Sequence, residues 1–269
     1  MGEGKGVRMN LFYQILLYAV IFYGLCVVIM FWRQDSFMFF PVASRHQNHE
    51  YKNVVDYSLV RQTATIRGWL VNPKLVTDRV VIYYGGNGED VFDNIDDFSA
   101  LQMASLFMAY RGYGPSGGKP GEREFFADAL AVIDDIVKKY SPAKIILIGR
   151  SLGSGVACFV AAHRKVQGLV LVTPFDSMVK IARSRYPWLP VNFLLRHRFN
   201  SEQYVGDIQC PVLVIYGGKD TIVEPVRTEN LVRAFAREVE VFRLDRAEHN
   251  NIGMFPEYWS LLLPFMDRL

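Results

Sequence analysis

The sequence is poor in cysteine. Its 269 residues include only three, Cys26, Cys158 and Cys210, an odd number with no CxxC spacing. That argues against a disulfide-stapled scaffold and a structural zinc site, and leaves free thiols buried as small apolar groups. A basic run is missing too. The formal net charge is +3, and basic and acidic residues are interleaved, so no electrostatic stripe for nucleic acid forms. No internal repeat or low-complexity tract breaks the chain. With five histidines in all, the search for a general base is short.

Apolar residues make up 51% of the chain, and one stretch takes a large share. Residues 11–32 read LFYQILLYAVIFYGLCVVIMFW, with Gln14 strongly polar and no charge. At about 1.5 Å per residue in a helix, the run spans a ~30 Å hydrocarbon layer. A cleaved signal has a shorter apolar region and ends in a small-x-small site, whereas this run ends in Met30, Phe31 and Trp32. A core helix apolar on all sides is unusual in a domain of this size. The run therefore reads as a retained transmembrane helix, a signal anchor over 11–32, after a short tail (1–10) and before a linker (33–52). Lys5, Arg8 and the α-amino group precede it against Glu3, while Arg33 and Asp35 cancel behind it. The positive-inside bias predicts a cytoplasmic N-terminus and the rest of the chain on the opposite side. "FMFFP" at 37–41 is apolar again, and is expected either along the membrane interface or packed on the domain.

The remainder, 53–269, is long enough for one large α/β domain. Residues 53–60 and 64–71 suggest a hairpin. RVVIYY (79–84) and SLFMAY (105–110) are short, continuous apolar runs suited to strands buried on both faces. A loop dense in Gly and Pro follows, then a helix over 122–140 whose Phe125, Phe126, Ala129, Val132, Ile133, Ile136 and Val137 recur on one face. IILIG, a small-residue helix, GLVLV, VLVIY, a helix around 225–237, VEVFRL and a final helix complete the series. Strands alternating with helices predict a mostly parallel sheet covered on both sides. Residues 178–200 break the alternation, with Tyr186, Pro187, Trp188 and Pro190 at a break between helical pieces. They are either a lid or substrate wall, or ordinary packing on the sheet edge.

"IILIGRSLGSG" (145–155) poses the functional question. Small-x-Ser-x-small after a buried strand is the pattern of a nucleophile elbow, a turn so tight that Gly149 and Gly153 must lack side chains. It would set Ser151 at a helix N-terminus, where free amides and the helix dipole favour an anion. The competing reading is a serine that merely caps the helix. A nucleophilic serine needs a histidine oriented by a carboxylate, in the chain order Ser, acid, His. VLVIY ends in "GGKD", placing Asp220 in a loop, and VEVFRL ends in "DRAEHNNI", placing His249 in the next. Both lie on the sheet edge expected for Ser151. Other histidines fit less well. His46 and His49 precede the sheet, His163 follows the elbow helix beside Arg164 and Lys165, and His197 lies between two arginines as a surface or salt-bridge residue. For the acid, Glu224 and Asp245 remain alternatives, and Glu248 reads as an exposed carboxylate. Oxyanion donors are expected from the backbone amide of Leu152 and from the "GGNGED" loop, best through the amide of Asn87.

The set "YYGGNGED", "YRGYGPSGGKPGE", "GRSLGSG", "PVLVIYGGKD" and "EHNNI" resembles the membrane-anchored Bem46-like branch of the α/β-hydrolase superfamily, with its ABHD17- and ABHD13-type serine hydrolases. The resemblance covers roughly residues 35–269. It implies an α/β-hydrolase fold, an eight-stranded mostly parallel sheet flanked by helices, behind an N-terminal transmembrane helix. It carries nucleophile, acid and base onto Ser151, Asp220 and His249, and the oxyanion amides onto Asn87 and Leu152. Residues 110–114 are a hallmark near the pocket, read here as structural. The chain departs from the pattern twice. Gly85-Gly86-Asn87-Gly88 stands where relatives have His-Gly-Asn-Ala, and Arg246-Ala247-Glu248 replaces a glycine-rich turn.

Together these features predict a membrane-anchored serine hydrolase acting on a carboxylic ester or thioester, with no metal or organic cofactor required. The substrates the resemblance allows include lipid esters and S-acylated proteins. An aminopeptidase-like peptidase is the rival within catalysis. A non-catalytic, membrane-tethered binding protein on the same scaffold is the rival outside it. Dehalogenase chemistry is disfavoured because its nucleophile is Asp, and position 151 is Ser.

Overall fold

The structure, a computed structural model, describes residues 10–44 and 51–269. Lys5, Arg8, His46 and His49 lie outside the described residues. The chain opens with helix α1 (Leu11–Met38), followed by strands β1 (Val54–Val60), β2 (Thr65–Val71) and β3 (Arg79–Tyr84). Helix α2 (Ile95–Ser99), β4 (Ala104–Met108), α3 (Glu122–Tyr140), β5 (Lys144–Arg150), α4 (Leu152–His163) and β6 (Gly168–Val172) come next. Helices α5 (Met178–Arg185) and α6 (Val191–Leu194), then β7 (Val212–Gly217), α7 (Pro225–Ala234), β8 (Glu240–Leu244) and α8 (Pro256–Asp267) end it.

The eight strands form one sheet in the order β1-β2-β4-β3-β5-β6-β7-β8. β1, β2 and β4 pair antiparallel in succession, and every later pair is parallel. The side-chain period of two sorts each central strand between two cores. Val80, Ile82 and Tyr84 of β3 pack with α3, α4 and α7, while Val81 and Tyr83 pack with α2 and α8 on the other face. Two covered faces are what continuous apolar strands require. At the far edge β8 is largely exposed, so cover there is incomplete. Because β3 and β5 to β8 run parallel, the loops after them gather along one sheet edge.

Helix α3 shows why this chain folds as it does. Glu122 and Glu124 open it and Lys138 and Lys139 close it, each matching the helix dipole. Its apolar face is buried from Phe125 to Ile136, but Val137 is 46% exposed, so the buried stripe is narrower than the apolar spacing suggests. Inside this face Asp128 is 1% exposed and takes a two-pronged ion pair from Arg111, Nε to Oδ2 at 2.9 Å and Nη2 to Oδ1 at 2.8 Å. The pair pins the 110–114 loop to α3. Breaking a buried pair from one side strands the other charge, so Asp128→Ala is expected to cost about 3 kcal/mol. Chemical denaturation of the two proteins measures this directly. A cost below about 1 kcal/mol would mean that Arg111 is rescued by water.

Several boundaries differ from the sequence expectations. β4 stops at Met108, because Tyr110 turns off the sheet to stack on Phe125 with ring centroids 4.4 Å apart. α1 continues through Arg33 to Met38, beyond the apolar run. The "FMFFP" segment packs on the domain at Phe39, which is buried against Phe125 and Phe199, while Phe40 is exposed. A short turn over 91–94 and α2, neither of them signalled by hydrophobic spacing, cover β2 and β4; five residues are too few for a helical period. Of the cysteines, Cys158 is buried, whereas Cys26 and Cys210 are half-buried. Burial pushes the Cys158 thiol well up, and that of Cys210 to about 11, so both stay protonated at neutral pH.

Candidate active site

Ser151 sits between β5 and α4 at φ 49°, ψ −117°, a backbone conformation a side chain rarely adopts. The turn is held from both sides. The Ser151 N–H donates to the Val172 carbonyl at 2.9 Å, and the Ser154 N–H to the Ser151 carbonyl at 2.9 Å. Its neighbours must be small for stated steric reasons. A Cβ on Gly149 would lie 2.5 Å from the Gly153 oxygen, and one on Gly153 would lie 2.0 Å from the Tyr84 oxygen. Although Ser151 occupies the N-cap position of α4, its hydroxyl makes no capping hydrogen bond. It meets His249 Nε2 at 2.9 Å instead.

His249 lies in the turn after β8, and its Nδ1 is 2.7 Å from Asp220 Oδ2 in the loop after β7. Both residues are buried. The other carboxylate oxygen of Asp220 accepts the Ile222 and Val223 N–H groups at 2.9 and 2.8 Å, which fixes the plane of the group. With the Nδ1 proton donated to a carboxylate, Nε2 is left to accept from the serine hydroxyl. The two loops are clamped together by backbone. Gly218 N–H donates to Leu244 O and Lys219 N–H to Ala247 O, both at 2.9 Å. A Cβ on Gly217 would come within 2.5 Å of the Ala247 oxygen. Ala247 is fully buried in this clamp.

Other sequence candidates lie elsewhere. His163 is exposed on α4 with Nδ1 2.7 Å from the Phe159 carbonyl. His197 is half-buried, with Nε2 3.1 Å from Asp35, and its Nδ1 accepts the Glu122 N–H at 3.2 Å. Glu224 is an exposed N-cap of α7, Asp245 pairs with Arg243 at 2.9 Å, and Glu248 is exposed.

Beside Ser151 runs the loop after β3. Leu152 is the first residue of α4, where an N–H has no acceptor within the helix. The Asn87 side chain is fully engaged. Its Oδ1 accepts from Tyr113 Oη at 2.7 Å and from the Phe40 N–H at 3.0 Å, and its Nδ2 donates to the Met38 carbonyl at 2.7 Å. Tyr110 Oη donates to the Gly85 carbonyl at 3.0 Å. The tyrosines of the 110–114 segment thus hold this loop in place, and Asn87 fastens it to the end of α1. Gly85 is tight as well: a Cβ there would lie 2.4 Å from Val91 Cγ1, so a larger side chain has no room beside Val91.

Sequence reading gave no role to Glu89, yet it sits at the centre of this loop. Its carboxylate accepts the Gly86 N–H at 2.5 Å and the Tyr83 hydroxyl at 2.8 Å, and pairs with Arg150 at 3.1 Å. Gly86 is thereby removed as an oxyanion donor, and the loop is latched to the residue preceding Ser151. A carboxylate three residues after Gly86 and an arginine at the elbow were visible in the chain; that they meet depends on the pairing of β3 with β5.

Two cavities meet at Ser151, Asn87, Phe40 and Ile222. One, about 480 Å³, is walled by apolar side chains of α1 and of residues 178–195, among them Met30, Phe31, Ile181, Leu189, Val191 and Leu194. The other, about 470 Å³, is polar, with Glu89, Asp93, Asn94, Arg150, His249 and Asn250. Residues 178–200 are therefore a wall of the first cavity.

A family model described as a serine hydrolase, FSH1, matches residues 96–250, a span that holds Ser151, Asp220 and His249. An uncharacterised protein of Mycobacterium tuberculosis is 37% identical over 153 residues, covering 56% of this chain and 54% of its own. An uncharacterised membrane protein of Saccharomyces cerevisiae is 31% identical over 172 residues, 61% of each chain. Human alpha/beta hydrolase domain-containing protein 17C is 29% identical over 160 residues, 59% of this chain and 47% of that one. The chain spans about half the length of the curated relatives it matches. Among solved structures, an esterase of Pyrococcus furiosus superposes with a TM-score of 0.67 at 20% identity, covering 86% of this chain and 98% of that one. At that identity the likeness is one of fold.

Proposed function

We propose, for a chain that belongs to the FSH1 serine hydrolase family, that it is a membrane-anchored esterase whose nucleophile is Ser151. One observation carries the reading: the unbroken line from Asp220 to His249 to Ser151, at 2.7 and 2.9 Å. In this mechanism His249 Nε2 takes the hydroxyl proton as Ser151 Oγ attacks the acyl carbonyl. Asp220 holds the ring and stabilises the imidazolium that forms. The amides of Leu152 and Asn87 receive the oxyanion. His249 then returns the proton to the departing alcohol or thiol, leaving an acyl-serine. Water, deprotonated by the same ring, releases the acid.

The two cavities support a division of sides in this reading. The acyl group enters the apolar cavity, and the leaving group faces the polar cleft. Helix α1 supports the anchor: its most apolar eighteen-residue stretch has a mean hydropathy of 2.5 and is not buried against the domain. By the charge bias of the flanks, the N-terminus is cytoplasmic and the catalytic domain lies across the membrane.

A p-nitrophenyl ester series tests the acyl assignment. An apolar cavity of about 480 Å³ should raise kcat/KM about threefold per added methylene until it is full. A profile that falls steadily from acetate upward would contradict the assignment of the acyl group to this cavity.

A further inference from the structure

The segment from α5 to α6 carries a surface that contact with water does not explain. Phe193 is 89% exposed and Trp188 52%, with Tyr186, Pro187 and Pro190 exposed beside them. Single exposed apolar residues are ordinary, but these gather on one hairpin tip. Phe193 lines neither cavity. Arg183, Arg185, Arg196 and Arg198 are exposed around the tip, and residues 178–200 contain no Asp or Glu. An apolar tip within a basic collar suits an element seated at a bilayer surface, its apolar side chains among the acyl chains and its arginines at the headgroups.

The tip is also docked along α1. Tyr23 Oη donates to the Trp188 carbonyl at 2.9 Å, and the two rings meet edge-on at 6.4 Å. Val27 and Met30 pack against Val179, Leu189 and Val191. One turn on, the buried Gln34 donates to the Leu194 carbonyl at 3.1 Å and accepts the Arg196 N–H at 2.8 Å, while Asp35 accepts from Arg196 Nη2 at 2.9 Å. Twenty residues from Leu11 fill a ~30 Å hydrocarbon core at about 1.5 Å each, and so end at Met30. Tyr23 is then about 10 Å inside that end. A hairpin touching α1 at Tyr23 sits at the depth where interfacial elements bury their apolar faces.

We infer that the tip of the α5–α6 hairpin is inserted in the leaflet that holds the C-terminal end of α1, and that the acyl-side cavity receives its substrate's chain sideways from that leaflet. The inference rests on the reading of α1 as a membrane-spanning helix. The cavity joins the two: Met30 and Phe31 of α1 and Leu189 and Val191 of the hairpin line the same cavity as Ser151. The substrate class is an ester or thioester whose acyl chain already resides in the bilayer. Such a chain reaches the serine without crossing water, and its polar part turns to the polar cleft.

The test uses the full chain in phosphatidylcholine–phosphatidylglycerol vesicles. Phe193→Cys and Glu238→Cys each carry an NBD fluorophore, and the unsubstituted chain gives the background from its own cysteines. Glu238 is exposed near the start of β8, at the opposite sheet edge from Ser151. Brominated acyl chains should quench the label at 193 and leave that at 238 untouched. Flotation of the same samples separates the two ideas. A chain that floats with 193 unquenched overturns the insertion and leaves the anchor standing; a chain that does not float overturns both. As a functional readout, Phe193→Asp should lower hydrolysis of a long-chain ester carried in vesicles about tenfold and leave that of soluble p-nitrophenyl acetate unchanged. Unchanged rates on both substrates would overturn the inference.

Discussion

Replacing Ser151 with alanine is expected to lower ester hydrolysis about a millionfold, to the level left by binding and the oxyanion amides alone. His249→Ala should cost nearly as much, and the double substitution little more. In the proposed mechanism the three side chains act as one unit, His249 moving the proton and Asp220 orienting the ring, so once one is missing the others contribute little. Asp220→Asn should fall somewhat short of this, because the ring keeps its place but is held in the wrong tautomer. Steady-state rates on a soluble ester, taken with circular dichroism to show that each variant is folded, check the pattern. Losses that multiplied across the double variant would mean that Ser151 and His249 act independently, which their 2.9 Å contact contradicts.

Gly153→Ala is the second large effect. A methyl group there would lie 2.0 Å from the Tyr84 carbonyl oxygen and 2.6 Å from that of Gly85. Both are backbone atoms, at the end of β3 and the start of the loop beside Ser151, so neither can swing aside. The elbow and the loop must part, and they are the two elements that have to close on one oxygen atom. Activity is expected to drop at least about a hundredfold, as when an oxyanion donor is lost. Stability should drop by about 2 kcal/mol from overpacking. Gly155→Ala, two residues on, is the control. Its Cβ would meet the Phe199 ring at 3.4 Å and Ser201 Oγ at 3.5 Å, ordinary contacts. There the gain in helix propensity should hold the change within about 1 kcal/mol of zero. Urea denaturation and ester turnover on both variants make the comparison.

How much of this could be read in the chain depended on the range of the interactions. The α/β-hydrolase sheet was legible because each central strand is a continuous apolar run and α3 repeats its apolar residues at helical spacing; both are local signals. Ser151, Asp220 and His249 stood out because a parallel sheet sends the loops after successive strands to one edge, which turns chain order into proximity. The limits were also physical. α2 is too short to show a period. The end of β4 is set by Tyr110 stacking on Phe125, a contact between distant segments. The latch of Glu89 onto Gly86, Tyr83 and Arg150 exists only once β3 lies beside β5. Residues 178–195 line one cavity together with α1, a contact between distant segments that the chain order alone does not show.

Gly85 is constrained by Val91, and other groups fix the loop that follows it. Glu89, Tyr110, Tyr113 and the end of α1 hold it in four directions. The Asn87 contacts with Met38 and Phe40 also tie the position of α1 to the loop that faces Ser151. A helix tied in this way to the loop beside Ser151 is part of the candidate site.

The central claim is that Ser151 is an activated nucleophile, and covalent labelling by a fluorophosphonate tests it most directly. The phosphorus is attacked only by a serine whose proton has somewhere to go. Full-length protein should be labelled stoichiometrically at Ser151, and Ser151→Ala and His249→Ala should both remain unlabelled. Folded wild-type protein that takes up no probe, or a Ser151→Ala variant that labels as well as wild type, would contradict the account.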